Sequence, residues 1–335
     1  MKIKVAINGF GRIGRLVFRI MNDDPNFEVV AINDLTDADQ LAYLLKYDTS
    51  HRGYKQDTIS SSDNSIIVDG KEVKVYSEMD PSNLPWKELE IDQVFECTGL
   101  FTKKEKADAH IKAGAKKVII SAPGKGDLKT VVFGVNEDVL DGSEEVISAA
   151  SCTTNCLAPV VDLLNKEFGI EKAFMTTVHA YTNDQTILDV EKKKGHMARR
   201  GRAGAANIVP SSTGAAAAIG LVIPELKGKL DGSALRVPTT TGSVVDLTIE
   251  LKENTTKEEI NKLFESNQTD TFKYTEDPIV SSDVIGSHYG SLVDGLLTEV
   301  LEVDGKQLVK VVAWYDNEMG YSAQMVRLAK FINEL

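Results

Sequence analysis

Gly9-Phe10-Gly11-Arg12-Ile13-Gly14 is the stretch that decides the fold of this chain. It follows a short apolar strand predicted at residues 4–7 and opens a helix predicted at residues 12–22. In such a turn the first glycine permits the tight bend, the second lets a pyrophosphate approach the backbone, and the third allows close packing of helix on strand. The pattern predicts a dinucleotide-binding unit at the start of the chain.

Asp34 adds a second feature to this unit, because it ends the next predicted strand, twenty residues after Gly14. A carboxylate at this place accepts hydrogen bonds from the adenosine ribose hydroxyls and repels a 2′-phosphate, which favours NAD over NADP. The alternative is that Asp34 is only a turn residue after Asn33. The strand before the glycines and the helix after them favour the nucleotide site.

The composition narrows the class of protein. A chain of 335 residues with 42% hydrophobic side chains can form two domains with buried cores. Its formal net charge of −12 argues against nucleic acid or an anionic membrane as the main partner. No apolar run approaches the length of a membrane span, and the N-terminus has no signal-peptide cleavage region, so we expect a cytoplasmic protein.

The order of predicted elements divides the chain. Strands and helices alternate in the first part, which predicts an α/β fold with a Rossmann-type doubly wound parallel sheet. Longer strand-like runs follow Cys152 and predict an α+β catalytic domain with a largely antiparallel sheet. We therefore expect a dinucleotide-binding domain at residues 1–151 and a catalytic domain at residues 152–317, with a C-terminal helix at 318–335 that packs back on the first domain.

Local motifs mark several element boundaries. Capping boxes at 102–105 and 256–259 predict the starts of two helices. Residues 292–303 and 306–314 read as two strands, and Asp304-Gly305 between them predicts a tight hairpin.

Ser151-Cys152-Thr153-Thr154-Asn155-Cys156 places a cysteine where a helix begins. Ser151 is the expected N-cap, and Cys152 then lies in the first turn, near free N–H groups and the positive end of the helix dipole. Both features favour the thiolate, which is the nucleophilic form of cysteine. Without a partner, Cys152 could equally be an inert residue at the helix start.

His179 is the candidate partner, because it closes an apolar strand and is followed by polar residues. A histidine beside the sulfur stabilises the thiolate as an ion pair and then serves as acid or base. The alternative is a core histidine bound to backbone. The three cysteines form neither a disulfide framework nor a zinc set, so we expect no metal, and we expect Cys97 to be a core residue.

Two further features indicate anion binding. Ser211-Ser212-Thr213-Gly214 precedes an alanine-rich helix, whose first N–H groups can face an anion. Arg236 is a single charge inside an apolar run, where it either has a structural partner or binds an anion. A basic segment is a solvated loop, a subunit contact or a site for anionic substrates; it contains Lys192, Lys193, Lys194, Arg199, Arg200 and Arg202.

Six motifs together carry a family resemblance. They are INGFGRIGR at residues 7–15, SCTTNC at 151–156, VHAYTND at 178–184, STGAA at 212–216, LRVPT at 235–239 and WYDNEMGY at 314–321. Over essentially its whole length the chain resembles the phosphorylating, NAD-dependent glyceraldehyde-3-phosphate dehydrogenases of the glycolytic type.

The resemblance implies a mechanism in which Cys152 attacks the aldehyde and His179 activates the thiol and accepts the hydroxyl proton. It implies that Thr182 and Arg236 bind the phosphate of the substrate. The implied contacts of the attacking phosphate are Ser151, Thr153, Arg200, Thr213 and Gly214. The implied contacts of NAD are Gly9, Gly11, Arg12, Ile13, Asp34, Ser121 and Asn317.

The resemblance also implies a homotetramer, with the basic segment in a loop that packs at a subunit interface. Two departures from the family pattern are Met79, where Arg or Lys is usual, and the longer, more basic segment at 189–197.

Three other functions stay open at this point. A sister enzyme that oxidises erythrose 4-phosphate shares nearly every motif. A cysteine acyltransferase or hydrolase with a vestigial nucleotide domain is disfavoured by Asp34 and Asn317. A purely binding protein is disfavoured because Cys152 and His179 are both present.

Overall fold

A computed structural model describes residues 2–192 and 194–335, so Lys193 of the basic segment lies outside the described residues. The chain divides into two compact units. The first comprises the residues up to Phe133, Glu137–Ala150 and Met325–Leu335, and the second comprises Gly134–Asn136 and Ser151–Gln324. Within the described residues, no helix is both long enough and apolar enough to cross a membrane.

The first unit is built on a nine-stranded sheet. Its strands are β1 Ile3–Asn8, β2 Phe27–Asn33, β3 Ser60–Ser62, β4 Ser65–Val68, β5 Lys71–Tyr76, β6 Gln93–Glu96, β7 Lys117–Ile120, β8 Lys129–Thr130 and β9 Val146–Ser148. The spatial order is β3-β4-β5-β2-β1-β6-β7-β9-β8. Among the described strands of this sheet, only the β3–β4 and β4–β5 pairs are antiparallel. The predicted α/β class with a parallel Rossmann-type sheet is confirmed.

Three helices accompany this sheet: α1 Arg12–Asn22, α2 Ala38–Lys46 and α3 Lys104–Lys112. Val5, Ala6 and Ile7 in β1 have no exposed surface, as expected for a central parallel strand covered on both faces. α1 buries Leu16 and Val17 completely. The predicted strand–turn–helix order around the glycines is thus confirmed.

The capping box predicted at 102–105 is wrong. α3 begins at Lys104, and its N-cap residue Lys103 makes no side-chain capping bond. The backbone of Thr102 instead accepts a hydrogen bond from the N–H of Lys125, while Lys104 donates to the Lys125 carbonyl. This bridge places Thr102 one residue too far from the helix to cap it.

The second unit contains a sheet of eight strands, predominantly antiparallel. They are β10 Ile170–Ala180, β11 Val209–Ser212, β12 Leu230–Val237, β13 Ser243–Leu251, β14 Phe272–Thr275, β15 Ser291–Asp294, β16 Glu299–Val303 and β17 Lys306–Tyr315. Seven strands follow the order β11-β12-β10-β13-β17-β15-β14, and β16 pairs with β17. The β10–β12 and β14–β15 pairs are parallel. The remaining helices are α4 Cys152–Phe168, α5 Ala215–Val222, α6 Lys257–Ser266 and α7 Met319–Glu334.

Of the short sequence motifs in this unit, the capping box and the hairpin were predicted correctly, and one strand was not. The capping box of Thr256 and Glu259 is present at the start of α6, and Asp304 and Gly305 form the hairpin with positive φ angles of 52° and 74°. The single strand predicted at 292–303 is wrong, since a short 3-10 turn, Gly295–Leu297, divides it. Asp294 causes the break, because its carboxylate caps the N–H of Leu296.

Candidate active site

The glycine turn of the first unit forms one wall of an open groove of about 360 Å³. A side-chain carbon at Gly9 would lie 2.8 Å from the Thr98 nitrogen, and one at Gly14 would lie 2.1 Å from the Gly9 carbonyl oxygen. Gly11 has open space around it, so that a ligand can reach the backbone there. These three environments match the roles that a dinucleotide pyrophosphate requires of the three glycines, so NAD fits the turn.

Asp34 lies at the carboxyl end of β2 and lines the same groove. One carboxylate oxygen accepts the N–H of Phe10 at 2.7 Å, and the other accepts the N–H of Thr36 at 3.0 Å. Asp34 is therefore both a turn residue and a groove residue. Each carboxylate oxygen can accept a further hydrogen bond, which is what two ribose hydroxyls need.

Arg12 uses its side chain away from the pyrophosphate position. Its guanidinium binds both carboxylate oxygens of Asp48, at 2.6 and 3.1 Å. Burial opposes ionisation of Asp48, but the hydrogen bonds from Arg12 and from the His51 N–H outweigh it and lower the Asp48 pKa to about 2. The backbone N–H groups of Arg12 and Ile13 lie in the first turn of α1, where such groups can face an anion.

Cys97 is placed differently from the sequence expectation. It lines the nucleotide groove and is partly exposed, so the prediction of a core residue is wrong. Burial raises the pKa of the Cys97 thiol, against an opposing effect of the side chain of Ser121, which follows β7. Ser121, another predicted NAD residue, is not among the described residues that line this groove.

In the second unit, Cys152 is the first residue of α4, as predicted. Ser151 is the N-cap, and its hydroxyl oxygen accepts the N–H of Thr154 at 3.1 Å. His179 lies near the end of β10, and its Nε2 is 3.5 Å from the Cys152 Sγ. Nδ1 lies 2.7 Å from the carbonyl oxygen of Ala180. A proton on Nδ1 donates to that carbonyl, and Nε2 then presents its lone pair to the thiol.

Burial shifts the pKa values of both Cys152 and His179 toward their neutral forms. Burial raises the pKa of the Cys152 thiol, against the opposing effects of Arg236 and Thr153. Burial, reinforced by Arg236, lowers the pKa of His179 to about 3. The environment thus disfavours ionising either group alone, contrary to the low thiol pKa expected from the helix start. Transfer of the proton from Sγ to Nε2 leaves the net charge unchanged and forms two charges that attract each other.

Arg236 lies beside this pair, because it is in register with His179 on the neighbouring parallel strand β12. Its Nη1 lies 3.0 Å from the His179 Nδ1, and it donates to Ala180 O and Thr182 Oγ1, both at 3.1 Å. Its Nε is buried and has no acceptor among the described residues. Arg236 and Thr182 are therefore brought together, as two ligands of one phosphate must be.

Asp184 joins these groups and was not singled out from the sequence. Its carboxylate accepts hydrogen bonds from Arg200 and Thr182, while the Nε of Arg200 lies 3.4 Å from Ser211 Oγ. The signal for Asp184 was its place at the end of the VHAYTND motif. Arg202 pairs with Asp189 at 2.6 Å, so acidic residues partly neutralise the described part of the basic segment.

The other predicted phosphate-binding residues lie at the start of a helix or form hydrogen bonds with residues outside the cysteine–histidine pair. Gly214 is the N-cap residue of α5, and the Thr213 hydroxyl accepts the Ala215 N–H at 3.2 Å. Thr153 Oγ1 is 2.9 Å from the hydroxyl of Tyr315, a buried residue that the sequence reading missed. Among the described residues, no hydrogen bond joins Thr213 or Gly214 to the cysteine–histidine pair.

Asn317 lies in the turn between β17 and α7 and is buried. Its Oδ1 accepts the Ser243 hydroxyl at 2.8 Å. This carboxamide belongs to the second unit, as does the pair of Cys152 and His179.

The first unit thus supplies a groove that fits a dinucleotide, and the second supplies a cysteine paired with a histidine beside half-buried arginines. These features are typical of dinucleotide-dependent oxidoreductases in which a cysteine is the nucleophile.

Comparison with known proteins identifies the family. Residues 3–104 match the glyceraldehyde 3-phosphate dehydrogenase NAD binding domain, and residues 151–317 match the C-terminal domain of the same family. The chain is 60% identical to a glyceraldehyde-3-phosphate dehydrogenase of Clostridium pasteurianum and 58% identical to one of Clostridium acetobutylicum, each over 332 residues and 99% of both chains. A Streptococcus pyogenes enzyme of the same name is 56% identical over 336 residues, 100% of this chain and 99% of its own. The chain belongs to the glyceraldehyde 3-phosphate dehydrogenase family.

Proposed function

We propose that this protein oxidises D-glyceraldehyde 3-phosphate to 1,3-bisphosphoglycerate with NAD and inorganic phosphate, as a step of glycolysis. The observation that carries the proposal is the 3.5 Å approach of the His179 Nε2 to the Cys152 Sγ beside the anion-binding Arg236. The names of the relatives favour this substrate over erythrose 4-phosphate, which the sequence motifs left open.

The first step is addition of the thiol to the aldehyde. His179 takes the proton from the Sγ of Cys152, and the sulfur forms a bond to the aldehyde carbon. The carbonyl oxygen then takes the proton from Nε2, which yields a thiohemiacetal. Arg236 and Thr182 hold the remote phosphate, so that binding energy away from the reacting carbon orients it for attack.

The second step is oxidation of the thiohemiacetal. His179 accepts the hydroxyl proton on Nε2 while the carbon loses a hydride with its bonding electrons, and a thioester forms on Cys152. NAD, when bound, supplies the hydride acceptor. The thioester conserves the oxidation energy that an attack by water would lose.

The third step transfers the acyl group. An oxygen of inorganic phosphate attacks the thioester carbon, the carbon–sulfur bond breaks, and sulfur leaves as a thiolate beside protonated His179. His179 then returns its proton to the sulfur, and the proton lost by the attacking phosphate is released to solvent. For the attacking phosphate we propose contacts from Ser151, Thr153, Arg200, Thr213 and Gly214.

The residues that would hold NAD come from both halves of the sequence. Asp34 would bind the adenosine ribose, and Asn317 would bind the nicotinamide carboxamide. The other proposed contacts are Gly9, Gly11, Arg12, Ile13 and Ser121. We assign most of the dinucleotide contacts to residues 1–151, with the helix at 318–335 packed on them. We assign the reacting groups, together with Asn317, to residues 152–317.

We further propose a cytoplasmic homotetramer, in which the basic segment belongs to a loop at a subunit interface. The exposed apolar side chains of Ile187, Leu188 and Val190, adjacent to that segment, support an interface there.

The decisive experiment follows NADH absorbance with glyceraldehyde 3-phosphate and NAD, with and without inorganic phosphate. We expect sustained turnover only with phosphate, and without it a single burst from the acyl-enzyme. Sustained turnover that ignores phosphate would contradict the proposal and indicate a hydrolytic aldehyde dehydrogenase. Faster turnover of erythrose 4-phosphate would indicate the sister activity.

A Cys152→Ala variant tests the nucleophile in the same assay. It should lose all turnover and still bind NAD, because the thiol forms the covalent intermediate but is not among the proposed cofactor contacts. Cys156→Ala is the matched control, since this buried cysteine lies one helical turn further along α4. Retained turnover in Cys152→Ala would remove the assignment.

A further inference from the structure

The carboxamide of Asn317 is held by two hydroxyl groups. Its Oδ1 lies 2.8 Å from the Ser243 Oγ and 3.3 Å from the Thr241 Oγ1. The Thr241 hydroxyl is closer to the carboxylate of Asp316, at 2.8 Å, so its proton is directed mainly to that group. Ser243 is therefore the main donor to Asn317. All four residues are buried.

Ser243 is placed to donate to Asn317. Its oxygen already accepts the N–H of Ala180 at 3.0 Å, which leaves its own proton available. An asparagine turned by 180° would place its NH₂ group against Ser243 and leave the serine proton without an acceptor. The hydrogen bonds consequently hold the Oδ1 of Asn317 toward Ser243, with the NH₂ group on the opposite side. The outer NH₂ group of Asn317 has no acceptor within residues 2–192 and 194–335.

Ala180 extends this chain of contacts to the reacting groups. Its N–H donates to Ser243, while its carbonyl oxygen is 2.7 Å from His179 Nδ1 and 3.1 Å from Arg236 Nη1. The orientation of Asn317 is thus tied through one serine to the backbone that positions the base.

We propose that Ser243 is a positioning residue that sets the orientation of the Asn317 carboxamide and thereby selects which face of the nicotinamide ring receives the hydride. The inference rests on the proposed function, in which Asn317 binds the nicotinamide carboxamide. With Oδ1 held inward, the NH₂ group donates to the carboxamide oxygen of the ring. Rotation of the ring by half a turn about its glycosidic bond presents the opposite face and breaks this hydrogen bond.

The test is stereochemical. Glyceraldehyde 3-phosphate deuterated at the aldehyde carbon is oxidised with NAD, and proton NMR of the NADH locates the deuterium at C4. Wild type should place deuterium in one of the two C4 positions only. Ser243→Ala should place it in both and lower kcat about tenfold, because the ring loses its fixed orientation. Ser291→Ala, a change of another fully buried serine in the same sheet, should behave as wild type.

Two further measurements keep the outcome clear. Ser243→Cys retains a side chain of similar shape with a weak donor, and it should also mix the two positions. Thermal unfolding identifies a variant that does not fold. A folded Ser243→Ala or Ser243→Cys enzyme that labels one position only, with kcat within twofold of wild type, would overturn the inference. Wild type without phosphate-dependent NADH formation would instead refute the proposed function.

Discussion

The Nε2 of His179 lies 3.5 Å from the Sγ of Cys152, although 27 residues separate them in sequence. α4 carries the cysteine at its first turn, and β10 carries the histidine at its last residues. Because each group sits at the end of a regular element, neither depends on a long loop for its position. The rigid pairing suits a proton transfer that must occur in both directions within one catalytic cycle.

The first prediction concerns reactivity of the thiol. Replacing His179 by Asn should slow alkylation of Cys152 by iodoacetamide near pH 7 by about tenfold or more, because the sulfur loses the acceptor of its proton. The measurement is the rate of alkylation as a function of pH. His288→Asn, at an exposed histidine, is the control and should leave the rate unchanged. An equal rate in His179→Asn and wild type would remove His179 as the proton acceptor.

The second prediction concerns the choice of cofactor. Asp34→Ala should raise the use of NADP relative to NAD, because it removes a carboxylate that repels a 2′-phosphate. The ratio of kcat/KM for the two cofactors measures this effect. Asp37→Ala is a matched control, since Asp37 only caps the start of α2, through the N–H of Gln40. A constant ratio in Asp34→Ala would mean that the carboxylate does not face the ribose.

The third prediction concerns substrate phosphate. Arg236→Gln should raise the KM for glyceraldehyde 3-phosphate by about 10- to 100-fold, the effect expected for loss of a charge-assisted hydrogen bond. Free glyceraldehyde, which lacks the phosphate, provides the control. Its kcat/KM should fall far less, and equal losses for the two substrates would show that Arg236 acts on the chemistry rather than on the phosphate.

The fourth prediction concerns stability in acid. The folded-state pKa of Asp48 is about 2, below its ordinary value of 3.8, so Asp48 stabilises the fold above that ordinary value and loses this contribution as pH falls through 2. The shift corresponds to about 2 kcal/mol, and the side chain is only 2% exposed. Asp48→Asn should therefore lower the free energy of unfolding at pH 7 and narrow its difference from wild type below pH 4.

Urea unfolding at a series of pH values measures this difference. Asp69→Asn is the control, because the Asp69 carboxylate pairs with Lys55 at the surface and is 41% exposed. It should lower the free energy of unfolding much less than Asp48→Asn does. A pH-independent difference for Asp48→Asn would mean that the carboxylate is not ionised beside Arg12 in the folded protein.

Local sequence predicted the structure correctly where the feature depends only on residues within about one turn of the backbone. The hairpin of Asp304 and Gly305 and the cap of Ser151 were predicted correctly, because these depend on the residue's own φ angle or on a donor three residues away. The predicted box at 102–105 failed because a backbone bridge from Lys125 competes for the same segment. Cys97 was misplaced because apolar flanks do not reveal that the end of a strand opens onto a groove.

The sequence by itself determined the dinucleotide turn, the cysteine at a helix start and the family, since each is written in contiguous residues. Only the tertiary structure decided which of these groups meet. Strand register places Arg236 beside His179. The packing of segments that are distant in sequence brings Asp184 to Arg200 and brings Ser243 to Asn317. The tertiary structure also decided the charge state of the thiol. The helix start alone predicts a lowered pKa for Cys152, whereas burial raises it. The physical reason is that backbone conformation is chosen by neighbours in sequence, whereas distance, desolvation and partner choice are set by neighbours in space.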